Sequence, residues 1–127
     1  MIRNRLRRAV IALPLIVFAQ LLPAQNIAQN IIMHEKPLHL RHLAGTVVDP
    51  KGMTIPYALI ELRDPGDDHV IASTFADGNG KFSFADRKRN ENFELRITLA
   101  GFQITQYNIS IALVGKEHIR VVLPIAN

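Results

Sequence analysis

Asp77 and Asn79, in the stretch TFADGNGKFSF (74–84), set two hard oxygen ligands two residues apart, the beginning of a calcium site. Calcium asks for about six to eight oxygens, and no acid follows at the spacing an EF-hand loop needs. Asn79-Gly80 is also a strong tight-turn signal, because both residues tolerate positive φ. Phe75 and Phe82 flank it as strand residues would. The stretch therefore reads as a β-hairpin turn, with Asp77 and Asn79 kept as weak metal candidates. The histidines His34, His39, His42, His69 and His118 offer imidazole, but their spacing matches no zinc motif, and Pro37 divides the first two. Asp64, Asp67 and Asp68 could supply an acid–base pair only inside a pocket that raises a pKa, and a Pro-Gly turn at the surface offers none. The DRKR run at 86–89 could touch phosphate or an acidic polymer, yet Glu91 and Glu94 stand close by and favour a solvated loop. Ser73, Ser83 and Ser110 lie in strand-like segments without a nucleophile elbow, and there is no cysteine.

The elements that would carry these residues are short strands. Apolar residues alternate with polar ones over 42–48, 57–63, 69–76, 81–85 and 93–99, with two further strands within 103–113 and 117–123. The cleanest case is FELRITL, where Phe93, Leu95, Ile97 and Leu99 face one way and Glu94, Arg96 and Thr98 the other. DPKG at 49–52 and DPGDD at 64–68 are turn chemistry, and Pro56 fits only the beginning of a strand. Seven short strands without a convincing helix predict an all-β, seven-stranded antiparallel Greek-key sandwich over 42–127. Residues 25–41 show no clean period and read as an arm or linker, in which IAQNIIMHE could form a helical turn or two.

The first residues have a different logic. Arg3, Arg5, Arg7 and Arg8 precede an apolar run over 9–22, and LPA follows, ending at Ala24. A basic start, a short apolar centre and a small-residue exit are the parts of a secretory signal. The run is shorter than the roughly 20 residues that span a bilayer, so a cleaved signal over 1–24 is expected rather than an anchor. Of the 15 basic residues four fall in that segment, which holds no acid, leaving 11 basic against 11 acidic in the remainder. The basic character thus belongs to the leader, and nucleic acid is not an expected partner. With no cysteine the rest must be held by its apolar core alone, which suits a bacterial envelope: periplasm, outer-membrane surface or the extracellular side.

Three motif blocks follow one another along these strands. GTVVDPKGMTIPYALIEL carries a Gly-x-Val strand, an Asp-x-x-Gly turn and a Pro-x-Ala strand at Gly45, Val47, Asp49, Gly52, Pro56, Ala58 and Ile60. The second block, Thr then Asp-x-x-Gly-x-Phe-x-Phe, falls on Thr74, Asp77, Gly80, Phe82 and Phe84. The third falls on Phe93, Leu95, Ile97, Gly101 and Phe102. Together the three blocks resemble the carboxypeptidase regulatory-like domain. The charged DRKRNEN replaces the Pro-Gly often found before the third block. The resemblance implies a transthyretin-like (prealbumin-like) sandwich over about 43–123, and it implies no peptidase activity, since that module sits beside the catalytic domain of metallocarboxypeptidases.

The expected function is a non-enzymatic, exported module that binds or spaces a protein or glycan in the cell envelope, without a cofactor. Two alternatives stay open. A small transthyretin-like hydrolase would need His42, His69, His118 and Arg120 to meet in one cleft. An uncleaved leader would make the chain a membrane-tethered accessory protein.

Overall fold

The computed structural model describes residues 30–127. The expected leader, its cleavage point and the first residues of the expected arm lie outside the described residues. Eight strands follow one another with no helix among the described residues: β1 Ile31–Leu40, β2 Ala44–Val48, β3 Leu59–Arg63, β4 Val70–Phe75, β5 Lys81–Ser83, β6 Asn92–Thr98, β7 Ile104–Ile111 and β8 Ile119–Val122. They form a five-stranded sheet in the order β1-β7-β6-β3-β4 and a three-stranded sheet in the order β5-β2-β8. The all-β sandwich expected from the alternating pattern is the fold.

Alternation decides the layers. Ile60 and Leu62 on β3, Phe93, Leu95 and Ile97 on β6, and Tyr107, Ile109 and Ile111 on β7 are buried, and they face Val47, Phe82, Ile119, Val121 and Leu123 of the second sheet's region. The register sets Ile60 opposite Ile97 and Leu62 opposite Leu95, so the apolar sets share one face. The residues between them form a polar outer face. There Arg63 Nη1 donates to Glu61 at 2.9 Å, and Arg96 Nε donates to Gln106 Oε1 at 2.8 Å.

Two features depart from the expected arrangement. The segment read as an arm supplies an eighth strand. β1 runs parallel to β7 with Ile31 beside Ile104 and Leu40 beside Ile111, and Leu40 is wholly buried. Pro37 interrupts this ladder within a register shift between His34 and Leu38. An edge strand tolerates proline because its outer side has no hydrogen-bond partner to lose. Across the break the Asn108 side-chain amide donates to the Glu35 carbonyl at 3.0 Å. The sheets are also mixed rather than purely antiparallel, since β1–β7 and β2–β8 are parallel pairs. The cause is topological. The chain changes sheet between β1 and β2 and again between β7 and β8, and such crossovers can set neighbours running the same way.

Candidate functional site

Asp77 sits at the head of a closed turn. Its Oδ1 accepts the backbone N–H groups of Asn79 at 2.8 Å and Lys81 at 2.9 Å. The N–H of Gly80 donates to the Asp77 carbonyl at 3.0 Å, and the N–H of Asp77 donates to the Lys81 carbonyl at 2.8 Å. Those donated backbone bonds, first from Lys81 and then from Asn79, hold the Asp77 carboxyl below its ordinary pKa. Asp49 repeats the device. Its Oδ1 accepts from Lys51 and Met53, each at 2.9 Å, and its carbonyl accepts from Gly52. Gly52 (φ 90°) and Gly80 (φ 78°) close the two turns in the left-handed region. Asp77 and Asn79 thus act within the backbone of an Asx-type turn.

One expectation for this stretch is corrected. The 77–80 turn does not join two paired strands, because β4 belongs to the five-stranded sheet and β5 to the three-stranded one. It is a crossing between layers. Phe82 must leave β4's sheet to fill the opposite wall of the core, where it is 6 % exposed.

The acidic cluster divides. Asp68 adopts φ 62° and turns toward Arg63 and Arg96. Arg63 Nε donates to its Oδ1 at 2.9 Å, which lowers the Asp68 pKa, and Arg96 Nη2 lies 3.6 Å away. Asp64, Asp67 and His69 stay together, each able to offer one ligand atom within 4.8 Å of the others. Their oxygens already serve the loop: Asp64 Oδ1 accepts from Gly66 N–H at 2.7 Å and Asp67 Oδ1 from His69 N–H at 3.1 Å.

The residues of the hydrolase alternative are dispersed. His69 is in the β3–β4 turn beside Asp67. His42 contacts Asp86 at 3.0 Å and Glu117 at 3.7 Å at the bend between β1 and β2. His118 precedes β8, and Arg120 lies opposite Thr46 on that strand. His118 borders one cavity with Asp77, Lys81 and Phe82, and His42 borders another with Arg41 and Arg87, so the two face different clefts. His34 stacks flat on Tyr107, with ring centroids 4.2 Å apart. The Tyr107 hydroxyl crosses to the other sheet and accepts the Val122 N–H at 3.2 Å, and burial raises its pKa.

The family model of the carboxypeptidase regulatory-like domain matches residues 42–124, more than half of the chain. The chain belongs to the carboxypeptidase regulatory-like domain family. No curated protein matches it. The family is of a regulatory, non-catalytic type with a prealbumin-like β-sandwich, in keeping with the two sheets described above.

The residues that mark this regulatory-like domain are structural in their surroundings. Val47, Ala58, Phe82, Phe93 and Leu95 are buried, and Phe84 and Phe102 pack on the core from its margin. Phe82 and Phe84 meet edge to face at 6.4 Å. Gly45 pairs with Phe82 on one side and Ile119 on the other. Thr74 pairs with Ile60, Pro56 leads into β3, and Gly101 (φ 91°) turns the chain between β6 and β7.

A second set of charged groups gathers at the end of the sandwich that holds the 86–91 and 112–118 loops. A cleft of about 280 Å³ there is lined by Arg41, His42, Asp86, Arg87, Arg89 and Leu113, with Ile111 and Ala112. The DRKR run gave a partial signal for it. Leu113 and Val114 carried none, because an aliphatic pair after a strand reads as more strand; both are exposed, Val114 at 86 %.

Proposed function

We propose that this chain is an exported, non-enzymatic sandwich module that binds or spaces a protein or glycan partner in a bacterial cell envelope. The observation that carries the reading is the polarity of the domain. Asn30, Ala126 and Asn127 border one cavity together, at the end where Phe102 bridges to Ile125. The 64–69, 86–91 and 112–118 loops lie at the other end, where Leu40 pairs with Ile111. The chain joins the sandwich at Asn30, and the loop-bearing pole lies at the far end of β1 from that junction, which suits a projecting binding or spacing unit. The separation of His42, His69 and His118 onto different elements supports a role without acid–base chemistry.

The test is expression of the full chain in a bacterial host, followed by fractionation, N-terminal sequencing and crosslinking in the envelope. A mature terminus at Gln25 and a reproducible protein or glycan adduct are expected. A full-length chain confined to the cytoplasm would overturn the export part. An exported chain without an adduct would overturn the binding part.

A further inference from the structure

We propose that the 112–116 loop and the basic cleft beside it dock on a bilayer surface containing anionic phospholipid. The tip is aliphatic, with Leu113 60 % and Val114 86 % exposed at adjacent positions. Around it stand Arg87, Lys88, Arg89 and Lys116, none of which is ion-paired with a carboxylate among the described residues. The acids beside the cleft are mostly engaged, and Asp64, Asp67 and Asp68 of the same pole lie beyond β6, on the β3–β4 side of the sheet. Asp86 is held by His42, and Glu117 by Arg41 at 3.0 Å. Glu91 remains, accepting the Lys88 backbone N–H at 2.9 Å. Arg87 is positioned without any acid: its guanidinium lies 5.7 Å from the Phe93 ring centroid, and its buried Nε has no hydrogen-bond partner among the described residues. Its charge is left to the cleft that it lines.

The surface is preformed. The N–H of Ala112 donates to the Leu40 carbonyl, that of Lys116 to His39, and that of Arg41 back to Lys116, all at 2.9 Å. Gly115 permits this approach, since a Cβ there would stand 2.6 Å from the His39 carbonyl oxygen. The basic loop is tied to the same strand end, because Asn90 N–H donates to the Ile111 carbonyl and Ile111 N–H to that of Glu91. A soluble anion would satisfy the guanidinium groups and leave the two aliphatics in water. A lipid interface satisfies both, with phosphates at the headgroup level and apolar depth below it.

This inference extends the envelope reading without depending on an identified protein or glycan. Because the chain has no cysteine, Val114→Cys carries a single environment-sensitive fluorophore in the full-length protein, and Asn127→Cys labels the opposite pole as a control. With phosphatidylglycerol vesicles the label at 114 should shift to the blue while that at 127 does not, and phosphatidylcholine vesicles should leave both unchanged. Adding Arg89→Gln and Lys116→Gln, both exposed positions, should raise the lipid concentration for half-maximal shift more than about tenfold. Leu113→Ser should reduce the shift with the thermal melt unchanged. No shift at 114, an equal shift with phosphatidylcholine, or a shift at 127 alone would overturn the proposal. So would a shift produced by inorganic phosphate or polyglutamate in solution but not by vesicles, which would assign the surface to a soluble anion or an acidic polypeptide. Any of these results in a chain that is still exported leaves the envelope reading standing.

Discussion

Asp77 shows why a side chain suggestive of a ligand can be consumed by the backbone. Its carboxylate accepts two N–H groups of its own turn, and those bonds favour the charged form. The folded pKa is therefore depressed. The stabilisation it brings is present above the unfolded value of about 3.9 and is lost as pH falls through the lower folded value. Asp77→Asn retains an acceptor oxygen but no charge. Its stability should fall less steeply than the wild type's below about pH 4 in urea titrations at stepped pH. Gly80 combines two constraints, a φ of 78° and a space where a Cβ would lie 2.9 Å from the Val47 carbonyl oxygen and 3.1 Å from that of Ile55. Gly80→Val should lower the free energy of unfolding by roughly 1–3 kcal/mol in chemical denaturation, without new chemistry being involved. The Asp-x-x-Gly spacing was legible as a turn because turn geometry is local. Tyr57 was not legible as a left-handed residue: at φ 66° it is an aromatic where sterics prefer glycine, and nothing in its neighbours announces that.

At the scale of elements the informative case is β1. Pro37, Lys36 and the surrounding polar residues gave residues 25–41 the look of a linker, yet the same features suit a sheet edge, where proline and charge discourage further pairing. Burial of Leu40 anchors the strand. Leu40→Ala should cost roughly 2–4 kcal/mol, read from the denaturation midpoint, and hydrogen exchange should then quicken along β7, whose edge β1 covers. Between the sheets, Tyr107 contributes one polar bridge to a core otherwise built from apolar contacts. Tyr107→Phe retains the ring and its stacking on His34 and leaves the Val122 N–H without its phenolic acceptor. A loss of about 0.5–1.5 kcal/mol is expected from thermal and chemical unfolding. β6 was readable from alternation because its buried residues alternate with partly exposed ones, whereas β7 was only bracketed within 103–113, since Thr105, Gln106 and Tyr107 are buried in succession. β1 was not, because its partner strand lies some seventy residues away in sequence and supplies the reason for its extended shape.

For the whole molecule the same crossovers that make the sheets mixed also set its two poles. β1 is ten residues long, about 33 Å at the usual rise of a strand, and it separates the pole of Asn30 and Asn127 from that of the 112–118 loop. Energy transfer between labels at 30 and 127 should be strong, and between 127 and 114 weak, corresponding to roughly 30 Å or more. Equal transfer in the two pairs would contradict the strand order. The family, the sandwich, its turn positions and the basic run at 86–89 follow from the sequence by itself, because alternation, turn chemistry and charge are properties of neighbours in the chain. Tertiary structure alone decided that the 77–80 turn passes between layers, that β1 completes a sheet, that Asp68 faces Arg63 and away from Asp64, and that Leu113 and Val114 project beside unpaired cations. Each of these depends on which distant segment lies alongside, and local pattern carries no record of it.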